Sequence, residues 1–246
     1  MAKVHSLGNI SGSIGNLVYY QVNGKQCVRQ KPGKRTKKFK SSPNFDRLRK
    51  NMLEFGKAVR GATLLRNALG ITSGEGVNRQ YFGDLSALLV TVIKSDPINP
   101  HGARNIMDGN LQLLKSYTPY KSKGLQQSYF GTFRHVVDRS LNEATIEIRR
   151  FDPRRIVGKS TVADSFRLTS ICIEADFDRC ISHTTEAATS AIPIRGRKTF
   201  SVDLKHALVS ESNRSLIVAV RLDLYKENTL LPQHRSLCIL AGINPE

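Results

Sequence analysis

Between Ser215 and Asn228 the chain reads SLIVAVRLDLYKEN, with Leu216, Val218, Val220, Leu222 and Leu224 at every second position. A period of two belongs to an extended strand, whose side chains alternate between faces. It puts those five on a core face and Arg221 and Asp223 on the other. Such a strand needs strand neighbours and a covering layer, which excludes an all-helical protein. ATIEIRRF, SFRLTSICIEADF, KTFSVDL and RSLCILAGI read the same way. Short strands separated by polar turns predict an antiparallel β-sandwich-like domain over 121–246.

The first half has a different grammar. In IGNLVYYQVNGKQCVRQ, two β-prone runs flank Asn23-Gly24, the pair best suited to a two-residue hairpin turn. Gly8, Gly12 and Gly15 punctuate the lead-in. Pro32-Gly33 marks a turn into KRTKKFKSS, a run with almost nothing to bury, expected as an exposed, extended arm. Ser42-Pro43 reads as a helix start, and a helix is expected over 44–69 with Gly70 as its stop. Phe45, Leu48, Met52, Phe55, Val59, Ala62 and Leu69 define its expected apolar face. A second helix is expected over 77–94, ended by Asp96-Pro97, and a weaker one over 105–117. Pro119–Lys123 is the candidate linker. The expected class is thus α+β: 1–43 hairpin and basic arm, 44–120 helical region, 121–246 β-sandwich-like domain.

Charge is the functional signal. The 246 residues carry a net charge of +18, with 14 basic and 2 acidic side chains in the first 60 residues against 24 and 18 in the rest. Lys25–Lys50 holds eleven cations and one acid, Asp46. Packed like charges of this density repel unless a polyanion neutralises them, and neutralising phosphates releases counterions. The candidate nucleic-acid-binding residues are Lys25, Arg29, Lys31, Lys34, Arg35, Lys37, Lys38, Lys40, Arg47, Arg49 and Lys50. Lys50, Lys57 and Arg60 are expected on the solvent side of the first helix. Phe39, Tyr19 and Tyr20 are the nearby aromatics, too few to argue for base-specific reading. A solvated charged segment and an acidic protein partner are the competing readings.

Signatures of chemistry are sparse. GITSGEG follows a helix and lacks the Lys-Ser/Thr of a phosphate loop. The six histidines are scattered, and no cysteine pair has Cys-x-x-Cys spacing, so Cys27, Cys172, Cys180 and Cys238 read as structural thiols. Glu174 and Asp176 share a strand face, with Arg179 or Arg167 as salt-bridge partners. No metal, cofactor or catalytic residue is expected. Neither a signal-peptide core nor an apolar run near the roughly 18 residues of a membrane span is present. A cytoplasmic protein without membrane contact is expected.

LGNISGSIGNLVYYQVNGKQCVRQKPGK, SPNFDRLRKNMLEFGKA, LSALLVTVIKSD and HGARNI resemble an uncharacterised family of basic Bacteroidota proteins with a glycine-punctuated N-terminal hairpin and C-terminal β-structure. SLIVAVRLDLYKENTLLPQHRSLCILAGI is similar to that family's closing strands. The resemblance implies a multi-part protein ending in β-structure, and no activity. The expectation is a non-catalytic nucleic-acid-binding protein that contacts phosphate backbone through its basic arm, RNA or ribosome ahead of DNA. The alternative is a structural or assembly component of a protein or nucleoprotein particle, with protein partners.

Overall fold

A computed structural model describes residues 3–6, 9–22, 24–31, 37–71, 74, 76–78, 80–121, 132–154, 162–195, 199–209 and 214–244. The chain forms two compact units, Met1–Asp46 and Arg47–Glu246. The fold is α+β, as expected. Among the described residues, no helix is long and apolar enough to cross a membrane.

The first unit is an antiparallel four-stranded meander: β1 (Lys3–Ser6), β2 (Asn9–Ile14), β3 (Leu17–Val22) and β4 (Lys25–Gln30). Val22 pairs with Lys25, so the β3–β4 connection is two residues long. Gly24 has φ +77°, as a tight hairpin turn requires; Asn23 lies outside the described residues. Pro32-Gly33 also lies outside them. The expected extended arm is corrected in part. Lys37–Ser41 forms a short helix, α1, followed by a 3-10 turn at Pro43–Phe45, and the Phe39 and Phe45 rings meet at 5.3 Å. That apolar contact is what an extended arm would forgo.

In the second unit, α2 (Asp46–Ala68) and α3 (Tyr81–Lys94) precede the β region. The strands are β5 (Thr132–Asp138), β6 (Glu143–Phe151), β7 (Ser165–Asp176), β8 (Ile181–Ala188), β9 (Ile192–Pro193), β10 (Phe200–Ala207), β11 (Ser215–Lys226), β12 (Thr229–Leu230) and β13 (Ser236–Ile243). One sheet has the order β10-β6-β5, and the other the order β12-β11-β7-β8 with β13 on β11 and β9 on β7. All pairings are antiparallel.

The central strands of the larger sheet, β7 and β11, are buried on both faces. Phe166, Leu168, Leu216, Val218, Val220, Leu222 and Leu224 pack against Ile146, Ile148 and Leu204 of the smaller sheet. This is the expected sandwich core in the expected register. Ile171, Ile173, Ile217, Ala219 and Ile239 pack instead against Ala58, Leu65, Leu85, Leu89 and Ile93 of the helices. The layers are helices, large sheet, small sheet. Residues 47–120 therefore share a core with the β region.

Three helix expectations are corrected. The second helix starts at Tyr81 rather than 77, because Val77 bridges Tyr120 and the Asn78 amide donates to the Pro119 carbonyl. Of 105–117, Leu111–Ser116 is helical, as a 3-10 turn. The Asn105 side chain accepts from the Asp108 amide, a local bond that competes with helix. Gly109 then sits against α3, where an added Cβ would fall 2.2 Å from the Val92 carbonyl oxygen.

The third correction concerns the buried face of α2, which is Glu54, Ala58, Gly61, Ala62 and Leu65. Leu48, Met52 and Phe55 are exposed. The segment after α3 holds the first half of α2 by polar contacts instead. Arg104 Nε lies 3.2 Å from Glu54 Oε1, the Gly102 amide donates to Glu54 at 2.7 Å, and Lys57 Nζ donates to the carbonyls of Ala103 and Arg104. The first half of the expected stripe, Leu48, Met52 and Phe55, thus remains outside the core, while its end, Ala62 and Leu69, is buried in it.

Two predictions follow from this packing. Val220 is fully buried, so Val220→Asp places an unpaired carboxylate in the sandwich core. We expect loss of the cooperative thermal transition of the 47–246 unit, read by circular dichroism; an unchanged melt would show that the position yields to water. Nothing lies within 4 Å of a Cβ built on Gly24, so the cost of Gly24→Val is conformational rather than steric. We expect the β3–β4 hairpin to lose about 1 kcal/mol or more, seen as faster amide exchange across residues 17–30.

Candidate nucleic-acid interface

The first unit carries most of the candidate residues, and its register sorts them. Tyr19 pairs with Val28 and with Gly12, while Leu17 pairs with Gln30 and Ile14. Alternation then places Ile10, Gly12, Ile14, Leu17, Tyr19, Gln21, Gln26, Val28 and Gln30 on one face. Not one of these is charged. The opposite face carries Ser11, Ser13, Val18, Tyr20, Val22, Lys25, Cys27 and Arg29. Arg29 lies over the Tyr20 ring, 5.8 Å from its centroid. None of the described side chains of β3 and β4 is buried.

Lys25, Arg29, Lys31, Lys40 and Arg47 are exposed. Lys31 is tethered where the arm leaves the sheet: its amide donates to the Asn16 carbonyl, and its ammonium donates to the Gly15 carbonyl at 2.9 Å. Lys34 and Arg35 lie outside the described residues, and Lys37 and Lys38 open α1. Arg47, Arg49 and Lys50 belong to α2 in the second unit. Two side chains depart from expectation. Lys50 is half-buried, its stem over Gly102, and Lys57 is turned into the carbonyls of 103 and 104. Both lie on the face of α2 that receives the segment after α3, and Arg60 remains exposed.

The polar groups of the sandwich interior are arranged for packing. Ser170 Oγ lies 2.7 Å from His206 Nε2, and Thr185 Oγ1 lies 2.9 Å from His206 Nδ1. A serine–imidazole pair invites a catalytic reading. Here Ser170 is fully buried, and the second ring nitrogen meets a hydroxyl rather than a carboxylate that could hold an imidazolium. Burial, with Glu174 nearby, pushes the Cys172 thiol up to about 12, so it stays protonated. Buried Glu174 accepts from the Val209 amide at 2.8 Å and lies 3.5 Å from Arg139 and 3.7 Å from His183. Asp176 has its expected partner in Arg179 at 3.8 Å, whereas Arg167 lies over the Tyr225 ring. Sequence reasoning missed the His206 cluster. Its signal was the row Ser170, Cys172 and Glu174 on the otherwise apolar core face of β7. Among the described residues, no group of three His, Cys, Asp or Glu side chains is placed to hold a metal ion.

Comparisons of the chain with protein-family models, with curated proteins and with solved structures found no match.

The His206 cluster makes stability pH-dependent. Burial holds the imidazole below its usual range, against the opposing hydrogen bond to Thr185. Below the unfolded-chain value near 6.5, the unfolded state takes up a proton that the folded state resists. This contribution is therefore complete above that value and is lost as pH falls through it. We expect the thermal midpoint to drop as pH is lowered from about 7 toward 5. His206→Gln, which keeps a donor and an acceptor, should flatten that drop. Burial and Lys115 also lower His135, so a smaller slope of the same sign should remain in the variant.

Proposed function

We propose that this chain is a non-catalytic nucleic-acid-binding protein that contacts phosphate backbone through its basic N-terminal segment. One observation carries the reading: eleven cations stand against one acid in Lys25–Lys50, and Lys25, Arg29, Lys31, Lys40 and Arg47 are turned to solvent. Exposed cations at this density replace the counterions of a polyphosphate. Lys34, Arg35, Lys37 and Lys38 extend the same run. With Tyr19 and Phe39 half-buried, Tyr20 is the one exposed ring of the three aromatics beside these cations, which supports backbone contact over base reading. RNA comes ahead of DNA because the cations that precede α2 lie, where described, on a strand and a short helix rather than on a long recognition helix for the major groove. The reading includes a cytoplasmic setting.

The alternative is an assembly role in a protein or nucleoprotein particle. The uncharged face of the N-terminal sheet favours it.

The test is the salt dependence of binding. With about six phosphate contacts, the log–log salt slope on duplex DNA should lie near about −5, and be shallower for a single strand. Replacing Lys34, Arg35, Lys37 and Lys38 together by Ala should remove most of that slope. It should weaken binding to all sequences equally and leave the melting transition in place. Wild-type protein that binds neither RNA nor DNA at low salt defeats the proposal. An unaffected quadruple variant moves the site elsewhere.

A further inference from the structure

Lys50 carries the basic segment onto α2, and Lys57 follows about 10 Å further along the same helix. There it meets Arg104, in the segment after α3. The Lys57 ammonium donates to the Ala103 and Arg104 carbonyls at 2.8 and 2.7 Å. Among the described residues it has no carboxylate partner. Its third N–H is therefore unused. Arg104 Nε faces Glu54 at 3.2 Å, and its Nη1 donates to the Lys94 carbonyl at the end of α3. Its Nη2 has no partner among the described residues, and the side chain is 22 % exposed.

Charge here is out of proportion to what fastening the segment requires. Glu54 is the one carboxylate that meets these cations. Lys50 lays its stem over Gly102, and His101 lies 3.9 Å from the same carboxylate. Asp96 and Asp108 of the same segment are turned to the amides of Ile98, Asn99 and Asn105. Neutral donors would hold the carbonyls of 103 and 104 without the mutual repulsion that Lys57 and Arg104 bring.

We infer that Lys57 and Arg104 together bind one phosphate group, a second backbone contact set in the 47–246 unit. That the phosphate belongs to nucleic acid rests on the reading above; that the site takes phosphate does not. The guanidinium offers N–H groups to the oxygens of the anion, and the ammonium adds another. Both cations are held in advance by carbonyls and by Glu54, so little side-chain freedom is lost when the anion arrives. A surplus of positive charge supplies the attraction, and a strand of backbone followed along α2 from Lys50 reaches it.

Inorganic phosphate tests the site, and nucleic acid tests the owner of the phosphate. In the full chain, the amide resonances of Gly102 and Arg104 should shift with inorganic phosphate and saturate in the millimolar range. Sodium chloride at equal ionic strength should not reproduce this. Lys57→Gln should abolish the shift, whereas Arg60→Gln, one turn further along α2, should keep it. Glu54→Gln still accepts from Gly102 and Arg104 but removes the negative charge, and should tighten phosphate binding about threefold or more. Were the two cations mere fasteners, that variant would gain nothing, so it decides the matter even where Lys57→Gln loosens the segment. On duplex nucleic acid, Lys57→Gln with the arm intact should lower the log–log salt slope by about one. Absence of a saturable phosphate shift overturns the inference, as does an equal response to chloride or a Glu54→Gln protein that binds phosphate no more tightly. A salt slope unchanged by Lys57→Gln overturns the second backbone contact while the role of the arm stands. Wild-type protein that takes phosphate but binds no nucleic acid upholds the site and defeats the reading of the arm.

Discussion

Everything in the 47–246 unit is arranged around a strand that water reaches on neither face. Leu216, Val218, Val220, Leu222 and Leu224 of β11 look into the sandwich, while Ile217 and Ala219 look at the helices. A strand buried on both sides requires a layer on each, and the chain order supplies them. The helices come before any strand of the large sheet. β5 and β6 precede β7, and β10 precedes β11, so the small sheet is built from segments on either side of β7 in sequence. The polar end of β11 follows from the same constraint. Past the reach of the helical layer, Asp223 is buried but sits between Arg221 and Arg235, at 3.1 and 2.5 Å. A carboxylate held by two guanidiniums is tolerable there, where a lone one would not be.

Much of this was legible because burial leaves a periodic trace. β7, β11 and β13 fall within segments read from alternation and apolar content, β6 begins one residue before its segment, and β10 runs three residues past its own, to Ala207. β5 and β8 escaped. ISHTTEAA is an edge strand whose side chains are mostly exposed or half-buried, so no core face marks it. The apolar face of α2 was misread for the opposite reason. Periodicity shows that Leu48, Met52 and Phe55 share a side, and not that a neighbouring element reaches them. The segment after α3 comes to the other side through Glu54 and Lys57. A single buried acid in a basic helix was the only hint.

The basic segment could be found by counting, but its geometry could not. Which cations project and which lie against protein depends on tertiary contacts, and Lys50 and Lys57 went to such contacts. The separation of charged and uncharged faces in β2–β4 is encoded by alternation alone, yet it appears only once the pairing of Tyr19 with Val28 fixes the register. One residue of slip would mix the two faces.

The Ser170–His206–Thr185 bridge has a consequence for how the two sheets find each other. Leu204 and Leu208 flank His206 along the small sheet and are buried like it. Apolar contact alone would therefore barely distinguish the observed alignment from one displaced by two residues. In the displaced arrangement a leucine would face both hydroxyls, and the imidazole would be sealed among aliphatic groups. Each orphaned polar group would carry its full desolvation penalty. The bridge thus works as a key between otherwise interchangeable sliding positions, and its contribution is to the uniqueness of the assembled sandwich more than to its cohesion.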